Sequence, residues 1–251
     1  MIEILILSLI QGVTEFLPIS SSSHLILVTE YLSFKNQSLS IDVSLHIGSF
    51  VGVIYYFFED IKNFYNNKVL FLKILFASLP VMFVGYILVE TNIIETLRNI
   101  RIIAWTTIIF GILLFISDKF KLDKNLKKLN YKSAFIIGLF QILSLIPGVS
   151  RSGIAITAAR LLNYKRVDAA KISFLLSIPI LGAVSIFGVK NIIFAKDLSF
   201  TSLNLLSVFT AFIFSYFTIK YFLKYINKFS LSIFVVYRIL LGLVLLILTY
   251  L

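Results

Sequence analysis

The sequence contains no cysteine and few charged side chains. Without cysteine it has no disulfide or thiolate chemistry, and two histidines are too few for a zinc site without carboxylates. Charged residues make up 14% of the 251 residues and hydrophobic residues 59%, whereas an average soluble protein has about 25% charged residues. The composition excludes a soluble globular protein. Because the apolar runs are continuous rather than alternating, it predicts an all-α integral membrane protein.

The net charge of +11 favours contact with membrane lipids rather than with nucleic acid. In a membrane protein, lysines in short loops set the topology and meet anionic headgroups. The first residues, MIEILILSLIQGVTEF, show no basic n-region and no small-residue cleavage site, so we expect them to belong to the mature protein. The composition therefore predicts membrane lipids as partners and no nucleic acid.

Two apolar regions, 2–32 and 133–162, are interrupted by the segments PISSSS and PGVSRSG. A proline followed by small polar residues breaks a helix, and in lipid such a break survives only where protein or water satisfies the freed backbone. We therefore predict two re-entrant helix–loop–helix hairpins. Six other segments are long enough to cross a bilayer, which takes roughly 17–25 residues: 41–58, 69–89, 102–117, 171–189, 199–219 and 230–251.

The two interrupted regions resemble each other in sequence. LSLIQGVTEFLPISSSSH is similar to IGLFQILSLIPGVSRSGI, and Gln11 corresponds to Gln141 at an offset of 130 residues. Each half of the chain then holds one hairpin and three spans. Because three is odd, the second half inserts upside down, which predicts an inverted-topology repeat. The predicted single membrane domain 1–251 divides into a first repeat, 1–118, and an inverted second repeat, 133–251.

Loop charge agrees with this topology. If the loop at 118–132 faces the cytoplasm, the outer side carries only Lys35, Arg98, Arg101, Lys190 and Lys196. The asymmetry is that expected from the positive-inside rule, and it places both termini outside. The basic residues on the cytoplasmic side are Lys62, Lys68, Lys73, Lys119, Lys121, Lys124, Lys127, Lys128, Lys132, Lys165, Arg166, Lys171, Lys220, Lys224 and Lys228.

Ionisable side chains inside apolar sequence are costly and usually functional. Gln11 and Glu15 are spaced i and i+4 and share one helix face, and Ser21 and His24 share a face if a helix restarts at the first break. A hydroxyl beside an imidazole offers a nucleophile and its base, or a base for water. For Arg238 we favour structural pairing over catalysis. The four ionisable residues within apolar sequence are Glu15, His24, Arg151 and Arg238.

Placed tip to tip, the two breaks would form an anion pocket with apolar walls. Two helix N-termini attract anions, and Arg151 adds a guanidinium that binds phosphate oxygens bidentately. A carboxylate beside a phosphate needs a bridging divalent cation, so we predict that Glu15 and Gln11 bind Mg²⁺ or Ca²⁺. This chemistry suits a diphosphate carried on a lipid tail. Further substrate contacts are predicted from Ser20, Ser22, Gly148, Ser150, Ser152 and Gln141.

At these residues the sequence resembles the undecaprenyl-diphosphate phosphatase family. QGVTEFLPISSSSH is similar to the family's first motif, (E/Q)xxxE followed by serine and histidine. PGVSRSG is similar to the start of its second, PGxSRSxxT, and Thr157 is the first threonine after it. KISFLLSIP and YRILLGL are also similar to family blocks. The resemblance covers essentially the whole chain. It implies a fold of six spans, two re-entrant segments and inverted repeats, which agrees with the topology above.

The resemblance also implies an activity and residue roles. Family members hydrolyse undecaprenyl diphosphate to undecaprenyl phosphate and phosphate in the bacterial inner membrane. This recycles the lipid carrier for peptidoglycan and other cell-wall polymers, and excess activity is associated with bacitracin resistance. Ser21 and His24 take the places of the catalytic hydroxyl and imidazole, Arg151 that of the phosphate-binding arginine, and Thr157 that of a substrate contact. Gln11 stands where many members have glutamate, so a cation would rest more on Glu15.

Several alternatives stay open at this point. The nucleophile is Ser21 or an activated water, and the cation is Mg²⁺ or Ca²⁺. A polyprenyl-phosphate transporter would also have broken helices and inverted repeats, although it would not need a nucleophile, a base and a metal ligand together. A third alternative is a structural membrane scaffold, for which substitutions at the breaks would cause no loss of function. We expect the pocket to open to the outer side of the membrane, and a homodimer is compatible with the sequence.

Overall fold

The structure, a computed structural model, describes residues 1–32, 34, 38–62, 68–120, 123–194 and 201–250, and within these it contains α-helices, two short 3₁₀ turns and no strand. The predicted all-helical class is confirmed. The helices are α1 (Ile2–Thr14), α2 (Ser21–Leu32), α3 (Leu39–Tyr56), α4 (Phe58–Lys62), α5 (Lys68–Glu90), α6 (Ile93–Thr96), α7 (Ile100–Asp118), α8 (Tyr131–Ile142), α9 (Arg151–Leu161), α10 (Arg166–Phe194), α11 (Ser202–Lys228) and α12 (Ser232–Tyr250).

Six of these helices are long and apolar enough to cross a membrane, so the chain is a multi-pass membrane protein. They are α3, α5, α7, α10, α11 and α12, one for each predicted span. Residues 199, 200 and 251 of the predicted spans lie outside the described residues, as do Lys35, Lys121 and Lys196 of the loop-charge argument. The re-entrant path of the two interrupted regions and the inverted repeat stay predictions.

Two predicted spans are shorter than the helices that form them. The span predicted at 171–189 lies within α10, which has 29 residues, and α11 continues to Lys228 rather than ending near residue 219. Lys220, Lys224 and Lys228 are exposed and spaced four residues apart, so they continue one face of α11. Hydropathy marks where a helix leaves the apolar layer, whereas the helix itself ends where its backbone hydrogen bonds end.

Both interrupted regions consist of two α-helices joined by a break, and the second break begins with the 3₁₀ turn Leu143–Leu145. The first break separates α1 from α2 and the second separates α8 from α9. In each, the residue just before the second helix is a serine with positive φ: 74° at Ser20 and 72° at Ser150. Positive φ is uncommon outside glycine and concentrates at functional sites. The same backbone turn therefore places Ser21 and Arg151 at the first positions of α2 and α9.

Close helix packing positions the first break. α3 and α11 approach so tightly that a Cβ on Gly48 would collide with the carbonyl oxygen of Val208. Small residues allow such an approach in membrane proteins, where interhelical hydrogen bonds also contribute. Ser215 Oγ of α11 donates to Ser49 Oγ at 3.1 Å, and Thr210 Oγ1 donates to Ser8 Oγ of α1 at 2.7 Å. α11 thus contacts both α3 and α1. Because the first break directly follows α1, the contact with α1 also positions that break.

Candidate active site

The two breaks meet at an ion pair between Glu15 and Arg151. Arg151 Nη2 lies 2.8 Å from Glu15 Oε1, although the two residues are 136 positions apart in sequence. The Glu15 side chain is only 8% exposed and the Arg151 side chain only 11%. A buried ion pair interacts strongly because little water screens it, and each member leaves an uncompensated charge if the other is removed. The prediction that the breaks lie together is confirmed by this contact.

Ser21 and Gln11 complete the surroundings of the Glu15 carboxylate. Ser21 Oγ donates to Glu15 Oε2 at 2.8 Å, and Gln11 Nε2 donates to the same oxygen at 3.0 Å. Glu15 therefore has one oxygen facing a guanidinium and the other facing a hydroxyl and an amide. Ser21 is half-buried and the neighbouring Ser22 is exposed, so the cluster reaches the surface at the start of α2.

Further hydrogen bonds dock the second break against the first. Arg151 Nη1 donates to the carbonyl of Ser173 on α10 at 3.1 Å. Ser152 Oγ donates to the carbonyl of Leu17 at 2.7 Å, and the same carbonyl accepts from the backbone N–H of Ile19 at 2.8 Å. The guanidinium is therefore held between α10 and the first break, with its position set by backbone groups on one side and by Glu15 on the other.

Arg238 of α12 hydrogen-bonds to both breaks. Its side chain is fully buried, and it donates to carbonyls of both breaks and of α7. Nη1 donates to Pro18 at 3.2 Å, Nη2 donates to Gly148 and Val149 at 2.8 and 3.1 Å, and Nε donates to Thr107 at 3.1 Å. These contacts agree with the expected structural role, which stays a prediction, and the partners are backbone carbonyls rather than a carboxylate. One side chain thus binds three carbonyls of the two breaks and a fourth carbonyl on α7.

Replacing Arg238 by methionine should lower the thermal unfolding midpoint by about 10 °C. The change leaves buried carbonyls without donors, at about 1–3 kcal/mol for each unsatisfied group, and about 1 kcal/mol shifts the midpoint of a chain this size by roughly 2–4 °C. Thermal unfolding of the purified protein in detergent measures the shift. Val236→Met, on the exposed face of the same helix, should unfold like wild type. An Arg238→Met protein as stable as this control would contradict the role.

His24 contacts Tyr237 rather than Ser21. Its Nε2 lies 2.5 Å from the Tyr237 hydroxyl and its Nδ1 lies 2.6 Å from the carbonyl of Ser20, and the two rings stack. Since a carbonyl only accepts, Nδ1 carries the proton and Nε2 accepts from the tyrosine. No hydrogen bond among the described residues joins Ser21 to His24; the Ser21 hydroxyl is paired with Glu15 instead. The predicted face of α2 contains both residues, but tertiary contacts give them different partners.

The other predicted substrate contacts divide into two groups. Ser20 and Ser22 are the neighbours of Ser21 in sequence, and the Ser20 and Ser22 hydroxyl oxygens lie 3.3 Å apart. The rest are committed to backbone or are buried away from an open surface: Ser150 Oγ caps α9 by accepting from the N–H of Gly153, Ser152 donates to Leu17, Gln141 donates to Ala77 at 3.5 Å, the Gly148 carbonyl accepts from Arg238, and Thr157 is buried within α9. Their role in substrate binding stays a prediction.

An apolar groove of about 370 Å³ begins beside the first break. Val13 and Leu17 form its end at the break, and Phe214, Phe222 and Phe234 extend it along α11 and the start of α12. Leu17 lines this groove, and its backbone carbonyl accepts from Ser152 of the second break. The polar cluster and a long apolar surface therefore adjoin at one residue.

Comparison with known proteins identifies the family. The family model described as Bacitracin resistance protein BacA matches residues 4–244. The chain belongs to this family. An undecaprenyl-diphosphatase of Pelagibacter ubique (strain HTCC1062) is 49% identical over 251 residues, covering 99% of this chain and 98% of that protein. Undecaprenyl-diphosphatase 1 of Pseudoalteromonas translucida (strain TAC 125) is 40% identical, covering 96% of each chain. These relatives are hydrolases by name, which favours an enzyme over a carrier.

The candidate ligands for a divalent cation at this site are the Glu15 carboxylate and the Gln11 amide oxygen. Among the described residues no group of three or more His, Cys, Asp or Glu lies together. However, Gln11 Oε1 is buried without a hydrogen-bond partner beside the Glu15 carboxylate. Mg²⁺ commonly takes one or two protein oxygens and completes its shell with water and phosphate. The orphaned amide oxygen and the carboxylate are consistent with that arrangement.

Two residues of this site had no role predicted from the sequence. Tyr237 binds the imidazole of His24 across 213 positions, and Ser173 supplies a carbonyl to Arg151. A backbone carbonyl gives no signal in the side-chain sequence, so Ser173 had no pattern to reveal it. Tyr237 stands directly before the buried Arg238 in the YRILLGL block; this adjacency was the available signal.

Proposed function

We propose that this protein hydrolyses undecaprenyl diphosphate to undecaprenyl phosphate and inorganic phosphate, and so recycles the lipid carrier of cell-wall polymers. The observation that carries the proposal is the contact between Glu15 and Arg151. It brings an anion-binding group, a carboxylate and the Ser21 hydroxyl together in a buried cluster beside an apolar groove. The names of the relatives and the bacitracin-resistance family support the same reaction.

Arg151 binds the diphosphate in this proposal. In the free protein its charge is balanced by Glu15, so an incoming phosphate competes with that carboxylate for the guanidinium. The planar fork donates two parallel hydrogen bonds to phosphate oxygens, and the N-terminal ends of α2 and α9 add backbone N–H groups and a favourable dipole. Because Ser21 and Arg151 both donate to the Glu15 carboxylate, both would reach a phosphate that binds beside it.

Ser21 is the proposed nucleophile and Glu15 its base. The hydroxyl already donates to Glu15 Oε2, which is positioned to take the proton as the oxygen attacks the terminal phosphorus. The bond from that phosphorus to the bridging oxygen breaks, and undecaprenyl phosphate leaves. Water then releases phosphate from the serine. Arg151 stabilises the charge that develops on the equatorial oxygens in both steps.

His24 is the proposed general acid and base of the second step. Its protonated Nδ1 is fixed by the Ser20 carbonyl, which leaves Nε2 as the atom that exchanges a proton. The Tyr237 hydroxyl occupies that nitrogen in the free protein. Tyr237 orients the imidazole ring. A water molecule has to replace the Tyr237 hydroxyl at Nε2 before the imidazole can activate that water.

A divalent cation, Mg²⁺ or Ca²⁺, is proposed to be held by Gln11 Oε1 and Glu15. When bound, it would neutralise charge on the diphosphate and so permit a carboxylate beside an anion. Gln11 then serves as a neutral oxygen ligand, while Arg151 is the permanent cationic partner of the phosphate.

The groove beside Leu17 is the proposed site of the first isoprene units of the lipid tail. It starts where the polar cluster ends and continues along α11 toward Phe234. A headgroup held between the breaks would direct an apolar chain into it without crossing a polar surface. This continuity matches a substrate with a charged head and a long apolar tail.

Phosphate release from a long polyprenyl diphosphate by the purified wild-type protein tests the proposed function. We expect release in detergent with Mg²⁺ or Ca²⁺ present, and one polyprenyl phosphate formed for each phosphate. Vesicles that move labelled polyprenyl phosphate without releasing phosphate would instead support the carrier, and no release under either cation would exclude the phosphatase.

We further propose that the site opens to the outer side of the bacterial inner membrane, as loop charge indicates. The chain has no cysteine, so a single thiol reports sidedness directly. Ser22→Cys, at an exposed position, should react with a membrane-impermeant maleimide in spheroplasts. Lys127→Cys, exposed in the loop predicted to be cytoplasmic, should react only in inside-out vesicles. The reverse pattern would overturn the orientation.

A further inference from the structure

A polar cavity of about 700 Å³ lies away from the candidate active site, where the residues after α7 meet the start of α10 and the end of α11. This is the end of the bundle that loop charge assigns to the cytoplasm. Its lining includes five basic residues and two acidic ones: Lys119, Arg160, Lys165, Arg166 and Lys171, with Asp118 and Asp168.

The floor of the cavity is a network centred on Asp118. Arg166 Nε donates to Asp118 Oδ1 at 2.6 Å, and the backbone N–H of Leu231 donates to Oδ2 at 3.0 Å. Arg160 donates from Nη2 to the carbonyls of Asp118 and Phe120 at 3.2 and 2.6 Å. These bonds tie α7, α9, α10 and α12 together, so the cavity has a fixed floor rather than a loose surface.

Both acidic groups of the lining are already engaged. Asp118 is shared by two guanidiniums, and Asp168 Oδ1 accepts from the backbone N–H of Leu126 at 2.8 Å. The ion pairs that the described residues form at this end all involve Asp118. Lys165 and Lys171 therefore add positive charge to the cavity, and neither forms an ion pair with a carboxylate of the described residues. Five cations against two anions leave a surplus of three positive charges.

Arg160 provides an independent sign that an acceptor is lacking. Its side chain is 3% exposed, yet its Nε has no hydrogen-bond partner and lies 3.6 Å from Asp118 Oδ1. A buried guanidinium nitrogen without an acceptor is costly. An anion in the cavity would supply negative charge beside it and beside the lysines.

We propose that this cavity binds a phosphate group, either of an anionic phospholipid headgroup or of free phosphate. Four or more basic side chains around a cavity between membrane helices form a typical phospholipid headgroup site on the cytoplasmic side. The site is separate from the Glu15–Arg151 cluster, so it stands or falls independently of the phosphatase activity.

The test compares two double variants of the full-length protein in nanodiscs of neutral phosphatidylcholine. Lys165→Gln with Lys171→Gln removes two cavity charges, and Lys127→Gln with Lys132→Gln removes two exposed charges outside the lining at the same end. Native mass spectrometry measures the Kd for phosphatidylglycerol in one arm and for inorganic phosphate in the other. The cavity variant should bind about 30-fold more weakly than wild type, since each lysine contributes about 1 kcal/mol.

The control pair should change Kd less than threefold. Saturable binding of phosphatidylglycerol that the cavity variant weakens identifies a lipid headgroup, and the same result with phosphate alone identifies a free anion. Equal losses in the two double variants would mean diffuse attraction by loop charge and would overturn the proposal. So would a cavity variant that binds both ligands as wild type does.

Discussion

The Ser21→Ala protein should release phosphate at least about ten-thousandfold more slowly than wild type. Removal of a nucleophile that works with a paired base costs about this much or more in serine hydrolases. The structure gives Ser21 a base in Glu15, whose Oε2 accepts its hydroxyl at 2.8 Å. Steady-state phosphate release from a polyprenyl diphosphate measures the loss.

Ser202→Ala is the control, because it removes the same hydroxyl at an exposed position at the start of α11, outside both breaks. It should keep activity within a few fold of wild type. Acid quenching with substrate labelled on the terminal phosphate should leave label on wild-type protein and none on Ser21→Ala. A Ser21→Ala protein within tenfold of wild type would show that water attacks directly.

Replacing Arg151 by lysine should lower kcat/KM by at least about a hundredfold. Lysine keeps a cation beside Glu15, so the buried carboxylate retains a charged partner and the fold is preserved. Lysine lacks the planar guanidinium that donates two hydrogen bonds to phosphate. Loss of one donor to the charge that develops in the transition state lowers kcat by about 10²–10³-fold. Phosphate release at several substrate concentrations separates kcat from KM.

Arg101→Lys makes the same chemical change at an exposed position on α7 and should behave as wild type. Thermal unfolding of both variants checks that any loss of activity is not a loss of fold. If Arg151→Lys retains more than a tenth of wild-type kcat/KM, a point charge is sufficient and bidentate recognition of the phosphate is ruled out.

The membrane class and the six long helices were predictable because they depend on local sequence. A continuous apolar run with no charge has to form its backbone hydrogen bonds internally, whatever lies around it. The two breaks were predictable for the same reason, since proline and serine runs interrupt a helix within a few residues. The ends of α10 and α11 were not, because polar residues such as Lys224 continue a helix beyond its apolar part.

The residue types of the candidate site were predictable, but some of their partners were not. Charge in apolar sequence singled out Glu15 and Arg151, and the structure joins them. Helical spacing suggested that Ser21 and His24 would act as a pair. Tertiary contacts instead give Ser21 to Glu15 and His24 to Tyr237. Spacing along one helix defines a shared face, while the groups packed against that face decide which hydrogen bonds form.

The sequence by itself determined that this chain is a helical membrane protein with two helix breaks rich in polar groups. Hydropathy and helix-breaking residues act over a few positions, so no knowledge of distant segments was needed. Only the tertiary structure decided that Arg151 faces Glu15 across 136 positions, and that Arg238 holds Pro18 across 220. Such contacts depend on how α7, α9 and α12 pack, and packing is a property of the whole bundle rather than of any one segment.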